Sequence, residues 1–191
     1  MSLSDFHGFD YETVHADDAE TLARVTGFFG SRHKSYQIAT QSQTTYADLQ
    51  RSPVVLVGLM NNDWTERLVL NLRFKVARLS PNVLSIRDGE NPGNTTWSID
   101  YSKPYLDLTR DYAIVGRLPD PKTGQMVVTI AGLSVFGTMA AGEFVTDPEQ
   151  IKAIDTIAPR GWEHKSVELV LSTDVIHGVP GRARILASRF W

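Results

Sequence analysis

The chain has 191 residues, a formal charge of −3 at pH 7, 42% hydrophobic residues and no cysteine. The absence of cysteine excludes thiol catalysis, disulfides and the usual zinc cages. The scattered Lys and Arg residues argue against direct nucleic-acid contact. No apolar run approaches the ~20 residues that a membrane-spanning helix needs, and the start is not a signal peptide. We therefore expect a cytoplasmic protein with no membrane insertion.

We expect residues 1–191 to form a single α/β domain. The chain contains no Pro-, Gly- or Ser-rich linker and no internal repeat that would divide it. Its first residues, Met1-Ser2-Leu3, are typical of a vector-derived scar, which predicts a domain excised from a longer parent protein. A natural short polar start is the alternative.

In the first third of the chain, short apolar runs that predict strands alternate with the spacing that predicts helices. Thr45-Tyr46-Ala47-Asp48 has the pattern of a capping box, and Asn62 or Asp63 can cap a later helix. The run 54–59 is apolar at almost every position, which is typical of a central parallel strand covered on both faces. The predicted order is strand 9–14, helix 16–29, strand 35–40, helix 45–51, strand 54–59 and a helix ending near residue 70.

The rest of the chain predicts pairs of strands that flank turn-rich segments. A strand over 72–77 leads into this region, and helical patterns cover 137–146 and 147–157. The segments 112–118 with 125–131 and 167–176 with 182–190 form hairpins, and 83–87 with 96–100 form either a hairpin or two short excursions. The sequence therefore predicts an α/β fold with three layers and a mixed sheet, mostly parallel early and with antiparallel hairpins in the C-terminal half.

Two junctions give the strongest indication of function, because in each an apolar strand runs into a polar or glycine-rich turn and then into a helix. Open α/β sheets bind ligands at the carboxyl ends of their strands, where helix N-termini offer unpaired N–H groups. If strands 54–59 and 126–131 are neighbours, a pocket for a small polar or anionic ligand lies between the two turns. The predicted ligand-binding residues are Asn61, Asn62, Trp64, Thr65, Ser134, Gly137 and Thr138.

Each turn has a functional and a structural interpretation. The amides of the first turn would orient the ligand and Trp64 would cover it, but Asn62 can equally be a helix cap. In the second turn, N–H groups near Gly137 and the hydroxyls of Ser134 and Thr138 would meet the ligand's polar or anionic end. The same small residues can instead let a helix pack closely on the sheet. Neither turn matches a phosphate loop, a dinucleotide fingerprint or a nucleophile elbow.

Two other functions stay open. An enzyme acting on a small phosphorylated or glycosidic substrate at the same place would need Glu143, Asp63 or His164 to converge there. A structural interaction module would use the late hairpins as a homodimer or partner surface. No two of the five histidines have the i, i+3 or i, i+4 spacing of a local metal site. We therefore predict no metal, no cofactor and no catalytic set of residues.

Several short motifs occur together in the chain. They include Tyr46-Ala47-Asp48-Leu49, Asn61-Asn62-Asp63-Trp64-Thr65-Glu66-Arg67-Leu68, Gly137-Thr138-Met139-Ala140-Ala141-Gly142-Glu143-Phe144 and the closing Phe190-Trp191. Their combination resembles a poorly characterised bacterial family of soluble α/β domains, from about residue 16 to the end. Such domains are often the C-terminal part of longer proteins whose N-terminal part looks like a winged-helix or membrane-linked regulator. The resemblance implies a sensory or regulatory domain and supplies neither a ligand nor catalytic residues.

Overall fold

The computed structural model describes residues 16–69 and 72–191, so the predicted strand 9–14 lies outside the described residues. The helices in this part are α1 Ala16–Ser31, α2 Tyr46–Leu49, α3 Asp63–Val69, α4 Val135–Thr146 and α5 Pro148–Ile151. The strands are β1 Val54–Val57, β2 Phe74–Ser80, β3 Val83–Asp88, β4 Ser98–Asp100, β5 Arg110–Pro119, β6 Met126–Gly132, β7 Val167–Ile176, β8 Val179–Pro180 and β9 Arg184–Phe190.

In the described part of the chain, the larger sheet contains six strands. Its order is β1-β6-β5-β7, and both β8 and β9 pair with β7. β1 and β6 run parallel, with Val54 opposite Val127, and the other pairs are antiparallel. The predicted mixed sheet is therefore confirmed. Its one parallel pair within the described ranges joins an early strand to a late one, and residues 35–40 form no strand. A mostly parallel early part is not confirmed.

A smaller antiparallel sheet of three strands, in the order β2-β3-β4, covers one face of the larger sheet. Its Phe74 and Ile86 pack with Ile114 and Val170 of β5 and β7 in one buried cluster. The opposite face carries a second cluster, in which α1 and α4 pack on β5, β6 and β7. The helices contribute Val25, Ala141 and Phe144, and the strands contribute Ala113, Val115, Ile130, Leu169 and Leu171. The alternation of side chains along β5 and β7 thus supplies two cores.

Strand β1 has an apolar sequence that indicates a central position. Among the described residues it pairs with β6 alone, at one end of the strand order. Of its four residues only Leu56 is fully buried. The sheet extends from β6 towards β5 and β7, and among residues 16–69 and 72–191 no second strand pairs with β1, so the central position expected for this strand is not confirmed.

Most of the other predicted elements are present with shifted ends. The capping box at Thr45 is formed, with its hydroxyl accepting from Asp48 N, although helix α2 ends at Leu49 rather than at residue 51. The three predicted strand pairs form as β3–β4, β5–β6 and β7–β9. The predicted helix 147–157 is a short α-helix, α5, followed by a 3₁₀ segment over Lys152–Thr156.

Helices α1 and α4 pack closely against each other on the larger sheet. Thr21 of α1 donates from its hydroxyl to the Thr138 carbonyl at 3.3 Å. A Cβ at Gly142 would lie 2.7 Å from Thr21 Cγ2, so the contact needs a glycine at position 142. In the portion of the chain that the structure describes, no helix combines the length and the apolar character needed to cross a membrane.

A buried carboxylate ties the small sheet to the large one. Glu168 of β7 is fully buried and accepts hydrogen bonds from the backbone N–H groups of Phe74 (2.8 Å) and Arg73 (3.2 Å) at the start of β2. Burial raises the pKa of Glu168 to about 7, against the opposing effect of these two bonds and of the Arg189 and Arg73 charges. The start of the small sheet is therefore held by a group that titrates near neutrality.

Candidate functional site

The two predicted turns lie on the same rim of the larger sheet. β1 and β6 are parallel neighbours, and the ladder continues past β1 because Gly58 N donates to the Ile130 carbonyl at 3.0 Å. The carboxyl ends of the two strands therefore meet at one edge. The adjacency that the predicted pocket required is confirmed, although the pocket itself depends on what fills the space between the turns.

In the first turn, both ends of the Asn62 amide are used within the chain. Its Oδ1 accepts from the backbone N–H groups of Trp64 (3.1 Å) and Thr65 (3.4 Å), which is the geometry of a helix cap. Its Nδ2 donates to the Val57 carbonyl at 3.0 Å. Asn62 thus fixes the start of α3 relative to β1, and this role accounts for the residue without a ligand.

The N-terminal part of α1 lies against both turns. The Asn61 amide donates to the Asp18 carboxylate of α1, and the Thr21 hydroxyl reaches the Thr138 carbonyl in the second turn. Asp18 and Thr21 are both buried. Side chains of α1 therefore occupy part of the space in which the ligand was predicted.

The two other predicted residues of the first turn, Trp64 and Thr65, lie in different environments. Trp64 is half-buried, and the Arg67 guanidinium lies 5.3 Å from its ring centroid, a cation–π contact. Thr65 is fully buried, and its hydroxyl has no hydrogen-bond partner. Neither arrangement identifies a ligand, so the binding roles of Trp64 and Thr65 stay predictions.

The second turn is organised around Asp111 of β5. Asp111 Oδ2 accepts from the Gly137 N–H (2.6 Å), from the Ser134 N–H (3.2 Å) and from the Ser134 hydroxyl. Its Oδ1 accepts from the Tyr112 N–H at 2.7 Å. The donors that a phosphate would use at the start of α4 are thus bound to an internal carboxylate.

The glycine at position 137 is explained by this close approach. A Cβ there would collide with the Tyr112 carbonyl and would lie 3.1 Å from Asp111 Oδ2. Asp111 is fully buried. Burial raises the pKa of its carboxyl group, and the hydrogen bonds from Ser134, Tyr112 and Gly137 oppose that rise.

Thr138 is also engaged within the turn. Its hydroxyl accepts from the Gly132 N–H at 3.2 Å and lies 3.3 Å from the Ser134 carbonyl, and the side chain is buried. A ligand could reach Thr138 or Gly137 only by displacing bonds that the turn already makes. Their predicted role in binding is not tested by these contacts, but a structural role is sufficient for both.

A cavity of about 250 Å³ opens on the other side of the second turn. It lies between the start of α4 and the loop 101–109 that joins β4 to β5. The lining residues are Tyr101, Lys103, Tyr105, Leu108, Ser134 and Val135. Ser134 is the one member of the predicted binding set that lines this cavity.

Two contacts hold the loop over the start of α4. The Tyr101 hydroxyl donates to the Leu133 carbonyl, and the Tyr105 ring stacks on Phe136 with centroids 4.6 Å apart and an interplanar angle of 25°. Burial, with a smaller contribution from the Asp111 charge, raises the pKa of Tyr101 to about 12. Tyr101 is therefore a neutral hydrogen-bond donor across the physiological range.

The residues proposed for an enzyme do not meet. Glu143 accepts from Gln150 Nε2 at 2.8 Å and lies 3.6 Å from Arg24 Nη2. His164 lies in the 3₁₀ segment Trp162–His164, and Asp63 begins α3. Within the described residues, 16–69 and 72–191, no hydrogen bond or ion pair joins any two of these three side chains.

Sequence reasoning missed Asp111 and Glu168, as well as the tyrosines of the cavity. The signal for the carboxylates was present: Glu168 interrupts the apolar run 167–171, and Asp111 precedes the apolar run 112–115. A lone acid in such a run must find buried donors or stay neutral. Tyr101 and Tyr105 gave a weaker signal, since aromatic residues in a loop have no periodicity.

Comparison of the chain with protein-family models, with curated proteins and with solved structures found no match in any of the three. The resemblance to bacterial regulator-like domains therefore stays a prediction.

Proposed function

We propose that this chain is a non-catalytic, cytoplasmic domain that binds a small molecule, and that the cavity beside Ser134 is its binding site. The observation that carries the proposal is a preformed concave space between a helix start and an anchored loop. Ligand sites in proteins are typically concave, mostly apolar and few in number. The sensory or regulatory role implied by the resemblance is part of the same proposal.

The location of the cavity supports this site over the space between the two turns. In that space, Asn61, Asn62 and Thr138 already have partners within the chain. In the cavity, Tyr101 and Tyr105 present rings that are each about half exposed, 48% and 49%. Half-exposed aromatic rings beside a concave space offer surface that a ligand can bury.

A thermal-shift screen tests the proposal. The probes are nucleotides, sugars, sugar phosphates, amino acids and single-ring aromatic compounds, and at least one probe class should raise the melting temperature. A ligand at 100 times its dissociation constant stabilises the fold by about 2.7 kcal/mol.

A matched pair of variants shows where the active probe binds. Val135→Trp should fill the cavity and abolish the shift, whereas Ile38→Trp, at an exposed position, should retain it. If no probe class shifts the protein, or if Val135→Trp keeps the wild-type shift, the cavity is not the binding site.

A second candidate function, a protein-interaction module, is favoured by exposed apolar residues at the late hairpin. Ile176 and Val179 are 70% and 65% exposed, and Leu106 of the loop 101–109 is 68% exposed. The hairpin touches this loop, because a Cβ at Gly178 would lie 3.1 Å from Leu106 Cδ2. Clustered apolar exposure of this kind marks interaction surfaces.

Light scattering tests the second candidate. A homodimer that Ile176→Asp converts to a monomer, while the exposed control Ile38→Asp leaves it dimeric, would support it. A wild-type protein that is monomeric at every concentration would count against self-association.

A further inference from the structure

We propose that the cavity beside Ser134 recognises a single-ring aromatic carboxylate, an inference that rests on the proposed binding function. Three features of the cavity carry it: its size, its aromatic walls and the charge at its edge. Each feature restricts the ligand in a different way.

The size and walls select a flat apolar group. At about 250 Å³ the cavity is slightly smaller than the roughly 300–1,000 Å³ of typical ligand sites, so it fits one ring rather than a nucleotide. Four of the six lining residues are aromatic or aliphatic: Tyr101, Tyr105, Leu108 and Val135. Rings pack favourably on tyrosine rings in offset or edge-to-face arrangements.

The aromatic walls are held in place before any ligand binds. The Tyr105 ring is stacked on Phe136, and the hydroxyl of Tyr101 is tied to the Leu133 carbonyl. Binding therefore needs little ordering of side chains, which reduces the entropy cost of association.

The charge at the edge selects an anion. Lys103 is the one charged residue among the six that line the cavity, and its side chain is exposed. The buried carboxylate behind the wall, Asp111, is occupied: Oδ1 accepts from the Tyr112 N–H of β5 and Oδ2 from the Gly137 N–H of the second turn. At the wall itself a ligand carboxylate can pair with the Lys103 ammonium group.

Lys103 is not held in an ion pair by the neighbouring Asp100. Its charge contributes to the lowered pKa of Asp100, after the larger effect of the hydrogen bonds from Ser102. Asp100 Oδ1 accepts from Ser102 N at 2.9 Å and from the Ser102 hydroxyl at 2.7 Å. Within the described ranges no ion pair of 4 Å or less joins Asp100 to Lys103, so the ammonium group is available to a ligand.

Calorimetric titration with three probes tests the inference: benzoate, its neutral analogue benzamide, and acetate, an anion without a ring. Benzoate should bind best, benzamide should bind about two- to fivefold more weakly, and acetate should show no binding in the same range. This two- to fivefold difference in affinity corresponds to the free energy that an exposed ion pair contributes. Added salt should weaken benzoate binding and leave benzamide binding unchanged.

A pair of variants isolates the charge. Lys103→Met should lower benzoate affinity to the benzamide level without changing benzamide affinity, and Lys122→Met, at another exposed lysine, should behave as the wild type. Equal binding of benzoate and benzamide, or a preference that survives in Lys103→Met, would overturn the inference while leaving the binding function intact. If Val135→Trp does not reduce binding of either ring, the proposed site itself is wrong.

Discussion

Asp111 and Glu168 are buried carboxylates on opposite faces of the larger sheet, and the two are held differently. Asp111, on the face covered by α4, accepts from three backbone N–H groups and one hydroxyl. Glu168, on the face covered by the small sheet, accepts from two backbone N–H groups. Both acids fasten an incoming segment to the sheet through its unpaired N–H groups.

The neighbourhood of Glu168 is also less fully hydrogen-bonded. Glu168 lies opposite Gly116 in β5, and Gly116 lies opposite Thr129 in β6. The Thr129 hydroxyl is buried and has no partner, and it occupies the space over Gly116, since a Cβ there would lie 2.7 Å from it. Polar contacts therefore fix a segment on each face, and beside Glu168 the strands also bury a hydroxyl without a partner.

The largest effect is expected for Asp111→Ala. The change removes the acceptor of the N–H groups of Gly137, which is buried, and of Ser134, which is half-buried, and each buried unpaired group costs about 1–3 kcal/mol. We expect a loss of about 4 kcal/mol in the free energy of unfolding, measured by urea denaturation. Asp107→Ala, at an exposed aspartate, should change stability by less than about 0.5 kcal/mol. Similar small effects for both variants would mean that the second turn does not depend on Asp111.

The second prediction concerns pH and Glu168. Its folded pKa of about 7 lies above the usual value of 4.5, so folding favours the protonated form. The stabilisation is complete below about pH 4 and is lost as the pH rises through about 7, a change of about 3 kcal/mol. Glu168→Gln cannot titrate at this position, so it should not show this loss. Between about pH 5 and about pH 8, the free energy of unfolding of the variant should therefore rise relative to that of the wild type.

Two observations separate this effect from other titrations. Asp88 and Asp174 have lowered pKa values, because of hydrogen bonds from Arg73 and from Arg184 and Arg110, so their contributions are lost only at more acidic pH. Glu163→Gln, at an exposed glutamate, should keep the wild-type pH profile. Parallel profiles for Glu168→Gln and the wild type would show that Glu168 does not titrate in this range.

A third, smaller effect is expected for Gly137→Ala. The added Cβ would meet the Tyr112 carbonyl and Asp111 Oδ2, and overpacking of this kind costs about 1–3 kcal/mol. Gly27→Ala in α1 is the matched control, since a Cβ there would have nothing within 4 Å. The control should raise stability by up to about 1 kcal/mol because alanine favours helix. Thermal unfolding of both variants measures the contrast, and equal changes would contradict it.

The smallest effect is expected for Thr129→Val. Because the Thr129 hydroxyl has no partner, replacing it with a methyl group of similar shape should leave stability unchanged or raise it by up to about 1 kcal/mol. Thr21→Val should instead lower stability by about 1 kcal/mol, since Thr21 donates to the Thr138 carbonyl. A marked loss in Thr129→Val would show that the Thr129 hydroxyl makes a contact that stabilises the fold.

Local patterns determined the positions of most elements and little of their arrangement. The capping box at Thr45, the cap at Asn62 and the three strand pairs depend on residues close together in the sequence, and all were predictable. The adjacency of strands 54–59 and 126–131 was also expected. It places both turns on one rim, but it does not say what fills the space between them.

The tertiary structure decided the features that bear on function, because they join distant parts of the chain. Asp111 reaches a turn more than twenty residues away, Asp18 meets Asn61 across the rim, and the loop of Tyr101 closes over α4. Glycine at 137 was visible in the sequence, but only the fold showed that it lies against the carboxylate of Asp111. Residue type alone fixes which groups can bind an anion; which anion they bind depends on the side chains that folding brings within hydrogen-bond distance.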